Sequence, residues 1–412
     1  MDIALYTLTS PLHDEKATDA VSADFIGGIE NQLGFRMDLK GPDFSGYGGG
    51  HDLDIIFVRT GGTEGLFKDV FPSISGRILL LTSGKSNSLA ASMEILSYLN
   101  QQGRNGEILH GSIEYIADRI ATLAKVESAR RKLQGCNLGV IGKPSDWLIS
   151  SDPDRDVLGN VLGINLIDIP IDELIQEYHK HDTLSPLSPD HLLSGLNFPE
   201  HLKKYSAGAL KIYESLKIII ERYGLSGLTL RCFDLLDSLD NTGCLALAML
   251  NAEGIPAGCE GDVPTLVTMT IGQALTGTCG FQANPSRINP DTGEILFAHC
   301  TVPFNMVRKF SFNTHFESGI GIAVHGEIPE GDATVFKLSG DLSRCFCCGA
   351  DLIFNQYENN LCRTQIVMKL MDDATSICRD YFLRKPVGNH HVVFSGDHTS
   401  LFKAFCQHYL QF

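Results

Sequence analysis

Short apolar runs of strand length alternate with helix-period segments over the first third of the chain, and this rhythm limits the fold more than any other feature. Ile3 to Thr9, Asp54 to Val58 and Arg77 to Thr82 read as buried strands, and Ser88 to Leu99 as a helix. Such alternation implies a parallel sheet covered on both faces. A long amphipathic stretch, Ile113 to Leu133, closes this unit. A second one begins at Asn137, with Leu138 to Gly142 as a strand running into a Gly turn and Val161 to Ile169 as its neighbour. Helical patterns over Leu202–Tyr223 and Thr242–Glu253 flank a predicted strand, Leu228 to Phe233, while the Ser-, Pro- and His-rich stretch 182–198 reads as a loop or lid. After about Phe304 the pattern changes to strands and Gly turns, as in Gly319 to Gly326 and Ala333 to Leu338, compatible with a small barrel and followed by a late helix near Thr399 to His408. The expected architecture is therefore α/β: two α/β units with parallel sheets followed by a mostly β C-terminal domain. Its expected bounds are 1–135, 136–303 and 304–412. No internal repeat is visible.

Composition narrows the function. With 33 basic against 49 acidic residues, the formal charge of -16 opposes phosphate backbones and anionic lipid surfaces, so neither nucleic acid nor a membrane is an expected partner. Apolar runs such as Ile78 to Leu81 fall far short of the roughly 20 residues of a membrane span. The first residues, Met1 to Tyr6, lack the basic start of a signal peptide, and the expectation is a cytoplasmic protein. Twelve cysteines scattered through core-like segments read as reduced, largely buried thiols. Cys345 and Cys348 have no second Cys-x-x-Cys to pair with, so structural zinc is not expected. No strand is followed by Gly-x-Gly-x-x-Gly or a phosphate loop, which leaves a nucleotide cofactor without support.

Four segments carry the residues of chemical interest. Gly388 to Ser395 holds His390 and His391 at the mouth of a β-branched strand, where they are either one packed and one exposed histidine or a nitrogen ligand. Cys259-Glu260-Gly261-Asp262 places Glu260 in a Gly-bounded turn just before a helix starting near Val263. A carboxylate there faces a helix N-terminus, which favours its charged form; a plain cap is the alternative, and Asp262 is the better placed cap. Phe297 to Pro303 contains His299, a candidate ligand contact or a core histidine. Thr314 to Gly319 contains His315, a ligand or a packed strand histidine. Asp234 ends a predicted strand, a place for a ligand contact or for an N-cap.

In this order the four segments resemble the L-fucose and L-arabinose isomerase superfamily, and Val58 to Glu64 and Leu138 to Trp147 resemble segments of its fucose-isomerase-like branch. The resemblance implies aldose–ketose isomerisation through a cis-enediol, an intramolecular oxidoreduction of a small-molecule sugar. It also implies an Mn²⁺ or Mg²⁺ cofactor held by oxygen and imidazole ligands, and a closed homo-oligomer, a trimer or hexamer. Carried over by residue, Glu260 is ligand and proton shuttle, with Asp262 and His299 as further catalytic candidates. His391 is the metal-binding histidine, because His391-Val392-Val393-Phe394 keeps the family spacing, and His390 is the adjacent alternative. His315 is a looser match to a ligand histidine. The chain departs from the pattern at Phe281-Gln282-Ala283-Asn284-Pro285-Ser286, where the family has a second metal-binding acid. Asn284 offers only a neutral carbonyl there, unless Asp234 or Glu317 takes the place of the acid. The alternative function is a non-catalytic carbohydrate-binding or regulatory protein of the same fold. A periplasmic-type sugar receptor is disfavoured by the β-rich last part.

Overall fold

Strand β1 (Ile3–Leu8) sends Ile3 and Leu5 to one side and Ala4, Tyr6 and Leu8 to the other, and both sets are buried in separate apolar clusters. That two-sided burial is what a parallel sheet between helical layers requires. The computed structural model describes residues 2–180, 196–371 and 373–410, so most of the stretch 182–198, expected as a loop or lid, lies outside the described residues. The chain forms two compact units, Met1–Ser128 and Ala129–Phe412.

In the first unit β1, β2 (Asp38–Gly41), β3 (Leu53–Val58), β4 (Ile78–Leu81) and β5 (Gly106–Leu109) pair in parallel in the order β2-β1-β3-β4-β5. Ile26, Ile29, Ile116 and Ile120 cover one face and Phe67, Ala91, Ile95 and Leu99 the other.

The second unit joins a parallel sheet to a barrel. β6 (Asn137–Ile141), β7 (Asn165–Ile169), β8 (Gly227–Leu230) and β9 (Ala257–Cys259) are parallel in the order β7-β6-β8-β9. β10 (Phe281–Asn289), β11 (Glu294–His299), β14 (Gly331–Leu338), β15 (Cys345–Gln356), β16 (Thr364–Leu370) and β17 (His391–Ser395) close an antiparallel barrel in the order β10-β11-β16-β15-β14-β17. β12 (Lys309–Asn313) and β13 (Ala323–Glu327) form a separate hairpin. The expected succession of two parallel α/β sheets and a β-rich part is thus the observed one. The barrel takes β10 and β11 from before residue 304, because β10 carries Asn284, Pro285, Ser286 and Arg287 and shows no apolar alternation beyond Ala283.

The buried helix Val263–Thr276 leads from the end of β9 into the barrel. It lies so close to β17 that a Cβ on Gly272 would sit 2.1 Å from Phe394 Cζ. Leu228, Leu230 and Cys259 of the sheet share one continuous apolar cluster with Phe281, Phe297, Val335 and Val393 of the barrel. Shared burial of this kind makes sheet and barrel a single packed body. Among the described residues no helix is long and apolar enough to cross a membrane.

Candidate functional site

The turn that follows β9 is built around Glu260, whose φ of +66° is the left-handed conformation that side chains other than glycine rarely adopt. Gly261 continues it at φ +72°, and a Cβ there would lie 2.5 Å from the Lys143 carbonyl oxygen. Asp262 is the N-cap of the Val263–Thr276 helix, its Oδ1 accepting from Thr265 N at 2.9 Å. The turn is tied to the barrel by Gln282 of β10, whose Oε1 accepts from Cys259 N at 2.8 Å. Glu260 Oε2 accepts from the indole Nε1 of Trp147 at 2.7 Å.

Two barrel histidines meet the other carboxylate oxygen. His299 Nε2 is 3.8 Å and His390 Nε2 3.5 Å from Glu260 Oε1, with the two rings 5.4 Å apart. Each ring is held by its other nitrogen: His390 Nδ1 bonds Asp262 Oδ2 at 2.8 Å, and His299 Nδ1 meets Thr301 Oγ1 at 3.2 Å. Lys337 of β14, 1% exposed, donates to Thr265 Oγ1 at 2.7 Å and lies 3.7 Å from Asp262 Oδ2. Burial alone would push the Glu260 carboxyl up, but His299 and His390 outweigh it and hold the group far below the usual range. Burial acts the same way on Asp262, and there Lys337 and then His390 prevail and hold it low. Burial likewise disfavours the charged form of His390, yet Asp262 and Glu260 together raise it to about 9.

The structure separates the residues expected to act together. Glu260 and His299 converge, and the histidine that joins them is His390. His391 is turned away: its Nε2 bonds Tyr381 Oη at 2.9 Å, its Nδ1 bonds the Asn389 carbonyl at 2.9 Å, and its ring lies among Phe297, Phe346 and Phe382. The reason is the two-residue period of a strand. His391 pairs with Ala283, which faces the barrel interior, and one residue earlier the chain faces the helix Val263–Thr276 instead. With both ring nitrogens engaged and burial pushing it down to about 3, His391 is a neutral core histidine. Asp262 is buried with both oxygens occupied, so it caps the helix and aims His390. Asn284 stands near the site but is not one of the three convergent residues; its Oδ1 accepts from Asn389 Nδ2 at 3.2 Å. His315 packs against Phe233 and bonds Ser318 Oγ. Asp234 pairs with Arg231 at 2.9 Å, and Glu317 is exposed; neither is in the convergent group of Glu260, His299 and His390. Lys337 and Trp147 were not among the expected site residues. A single charged residue in the strand-like run Ala333 to Leu338 was the available signal for the first.

Glu260, His299 and His390 form the only group of three potential metal-ligating side chains whose donor atoms lie within 4.8 Å of one another among the described residues. The donors fit a divalent cation. His390 Nε2 is fully buried with no hydrogen-bond partner among the described residues, and the carboxylate–imidazole pair Asp262–His390 is the arrangement that orients a ligating histidine. Two imidazoles and one carboxylate suit first-row divalent ions.

No family model matches the chain. It is 21% identical over 284 residues to a protein of Alkalicoccus urumqiensis named sulfoquinovose isomerase, a match covering 65% of this chain and 61% of that one. A protein of the same name from Clostridium sp. (strain MSTE9) is 24% identical over 244 residues, 55% of this chain and 52% of the relative. The chain thus spans between half and two thirds of the length of these curated relatives, and what it is similar to in both is a sugar isomerase.

Proposed function

We propose that the protein is a divalent-metal-dependent aldose–ketose isomerase, an intramolecular oxidoreductase that moves a proton between neighbouring sugar carbons through a cis-enediol. The observation that carries the reading is the convergence of Glu260 Oε1, His299 Nε2 and His390 Nε2 at the junction of sheet and barrel, with the buried His390 nitrogen lacking a hydrogen-bond partner among the described residues. Glu260, His299 and His390 would hold the cation, with Asn284 at the rim. Mn²⁺ or Mg²⁺ bound there would polarise the sugar carbonyl and its neighbouring hydroxyl. The two carboxylates that draw a proton onto His390 would draw a cation in its place, so binding would release that proton.

The chain's own groups account for the rest. Glu260 is charged at neutral pH and presents Oε1 inward, where it can take a proton from the sugar carbon and return it to the adjacent one. His299, 3.8 Å away, is held by Thr301 through Nδ1, which keeps Nε2 pointed at Glu260 Oε1 and the cation position. Asp262 and Lys337 stay buried and keep His390 in one orientation. The names of the two relatives make a sulfonated sugar the first substrate to try. We also propose a closed homo-oligomer, a trimer or hexamer, supported by the exposure of the large apolar side chain of Ile149, and a cytoplasmic setting, supported by twelve cysteines that are all free thiols.

The test is chelator-stripped protein assayed with and without added Mn²⁺ on a panel of aldoses that includes sulfoquinovose. Metal-dependent ketose formation, with solvent deuterium appearing at the reacting carbon in D₂O, is expected. Glu260→Gln should lower turnover by about 10²–10⁴-fold, the range of general acid–base catalysis, with an unchanged melting profile. A sugar-induced rise in stability without product would identify a binding protein and end the enzymatic reading.

A further inference from the structure

We propose that Trp147 is a positioning residue that fixes Glu260 as a one-oxygen partner of His299 and His390, and that Arg231 holds Trp147 in place. This rests on the reading of Glu260 as the central acid, and it assigns work to a segment that reading leaves idle. A carboxylate has two equivalent oxygens, and nothing in the turn itself decides which faces inward. The indole N–H decides it: Trp147 Nε1 takes Oε2 at 2.7 Å, leaving Oε1 for the histidines. Indole is a donor only, so this bond needs an acceptor such as the carboxylate. The same segment grips the backbone of Glu260, since Ser145 N donates to its carbonyl oxygen at 2.9 Å. Two hydrogen bonds from neighbouring residues therefore hold both ends of a residue whose backbone is in a strained region.

The segment is in turn anchored by one guanidinium. Arg231 Nη1 donates to the Pro144 carbonyl at 2.5 Å, Nη2 to Asp146 Oδ2 at 3.0 Å and Nε to Asp234 Oδ1 at 2.9 Å, its side chain 12% exposed. Its stem lies against Gly142, where a Cβ would come within 2.8 Å of the Arg231 Cβ. The three-way fork is a geometry a lysine cannot copy. Trp147 itself is 52% exposed and touches Phe233 edge-on at 4.8 Å, so burial of its ring does not account for its placement. What places it is the chain of bonds from Arg231 through Pro144 and Asp146 to the indole.

Trp147 is the only tryptophan of the chain, which makes it a reporter of its own bond. In metal-free protein, Glu260→Ala and Arg231→Lys should each shift its emission, lower its anisotropy and raise its quenching by acrylamide. Emission, anisotropy and quenching equal to wild type in both variants would overturn the proposal whatever the metal does. Trp147→Phe keeps an aromatic ring and removes the N–H. Its melting profile should stay wild-type while Mn²⁺ affinity, read by electron paramagnetic resonance, weakens about 10–100-fold and kcat falls with KM little changed. Trp147→His, which retains an N–H donor, should recover part of both. Wild-type Mn²⁺ affinity in Trp147→Phe, alongside loss of binding in Glu260→Gln, would overturn the positioning role and leave the proposed function intact. The converse, a responsive Trp147 signal in a wild-type protein that binds no Mn²⁺, would remove the cation from the function and leave the Trp147–Glu260 link standing.

Discussion

The two parallel sheets solve the same problem at their carboxyl ends with different means. In the first unit the ends of β1, β3 and β4 carry buried hydroxyls with local partners: Ser10 N donates to Thr60 Oγ1, Thr63 Oγ1 to the Thr60 carbonyl, and Thr82 Oγ1 to Ser88 Oγ. Neutral groups of this kind need only short-range partners to be buried without penalty. The sheet of the second unit ends instead in Glu260, and a buried carboxylate needs charge from elsewhere. The barrel supplies it, with His299, His390 and, by way of Asp262, Lys337. A parallel sheet marks a place for a ligand, and here the convergent carboxylate–imidazole site forms where a second element packs against the sheet's end.

The two neighbouring histidines put that contrast to its hardest test, because one belongs to the junction and the other to the barrel interior. His390→Ala should reduce Mn²⁺ affinity by at least about 100-fold, more than the 10–100-fold cost of losing a supporting group. His391→Ala should leave metal affinity within a few-fold of wild type while destabilising the second unit by about 2–4 kcal/mol, as loss of a packed buried ring does. Calorimetric titration and thermal melts of both variants separate the two roles. Similar metal affinities in the two would dissolve the distinction.

Two helical glycines carry the contrast into packing. Gly272→Ala puts a methyl 2.1 Å from the ring of Phe394, at the point where helix and barrel meet, and overpacking should cost about 1–3 kcal/mol. Gly27→Ala, inside the helix Glu15–Leu33 of the first unit, meets nothing within 4 Å and should stabilise by about 0.5–1 kcal/mol. Chemical denaturation of the two variants should move midpoints in opposite directions. Shifts of the same sign would show that the helix is not clamped on β17.

Alkali should distinguish the units as well. Every cysteine lies beyond residue 135, so thiol ionisation acts on the second unit alone. Burial pushes Cys279 and Cys347 up to about 12, which means the folded state keeps protons that the unfolded chain gives up near 9. Stability from this source is complete below about 9 and is lost as pH rises towards 12, roughly 1 kcal/mol per thiol by pH 10. In the first unit Tyr6, raised to about 12 by burial and then by Asp54, loses its contribution only above its ordinary value of 10. Amide exchange at pH 9.5–10 should therefore quicken first in the second unit. An earlier opening of the first unit would contradict this order.

The parts of the molecule that sequence exposes are those set by local period. β1, β3, β4 and β6 were legible because their apolar runs are short and end in Gly or polar turns, and Glu260 stood out because glycines bracket its turn. The choice between His390 and His391 was not legible. Val392, Val393 and Phe394 are apolar on both faces, so β17 has no alternation from which to read the face of either histidine. Trp147 and Glu260 are 113 residues apart, and Arg231 and Pro144 are 87 apart. Bonds of that range leave no spacing in the sequence, and only the folded chain brings them together.

The smallest expected effect concerns the acid that the resemblance leads one to expect and the chain lacks. The β10–β17 register ends at Ala283 opposite His391, and Asn284, the next residue of β10, is bonded to Asn389, the residue before His390. A carboxylate at 284 would therefore stand one residue from His390, where its charge could act on a cation held there. The present Asn284 gives its oxygen to Asn389, which helps hold the Gly388–Asn389 turn that leads into His390. Asn284→Asp keeps that acceptor and adds one negative charge at the rim, where solvent screens it. Mn²⁺ affinity should rise by a modest factor, at most about tenfold, and the gain should shrink as salt is raised. If turnover rises with it, the native site is a weakened isomerase centre. If affinity rises and turnover falls, the neutral side chain is tuned to the substrate. An unchanged affinity at low salt would place residue 284 out of range of the ion and leave Glu260, His299 and His390 as the whole of the cation's protein ligands.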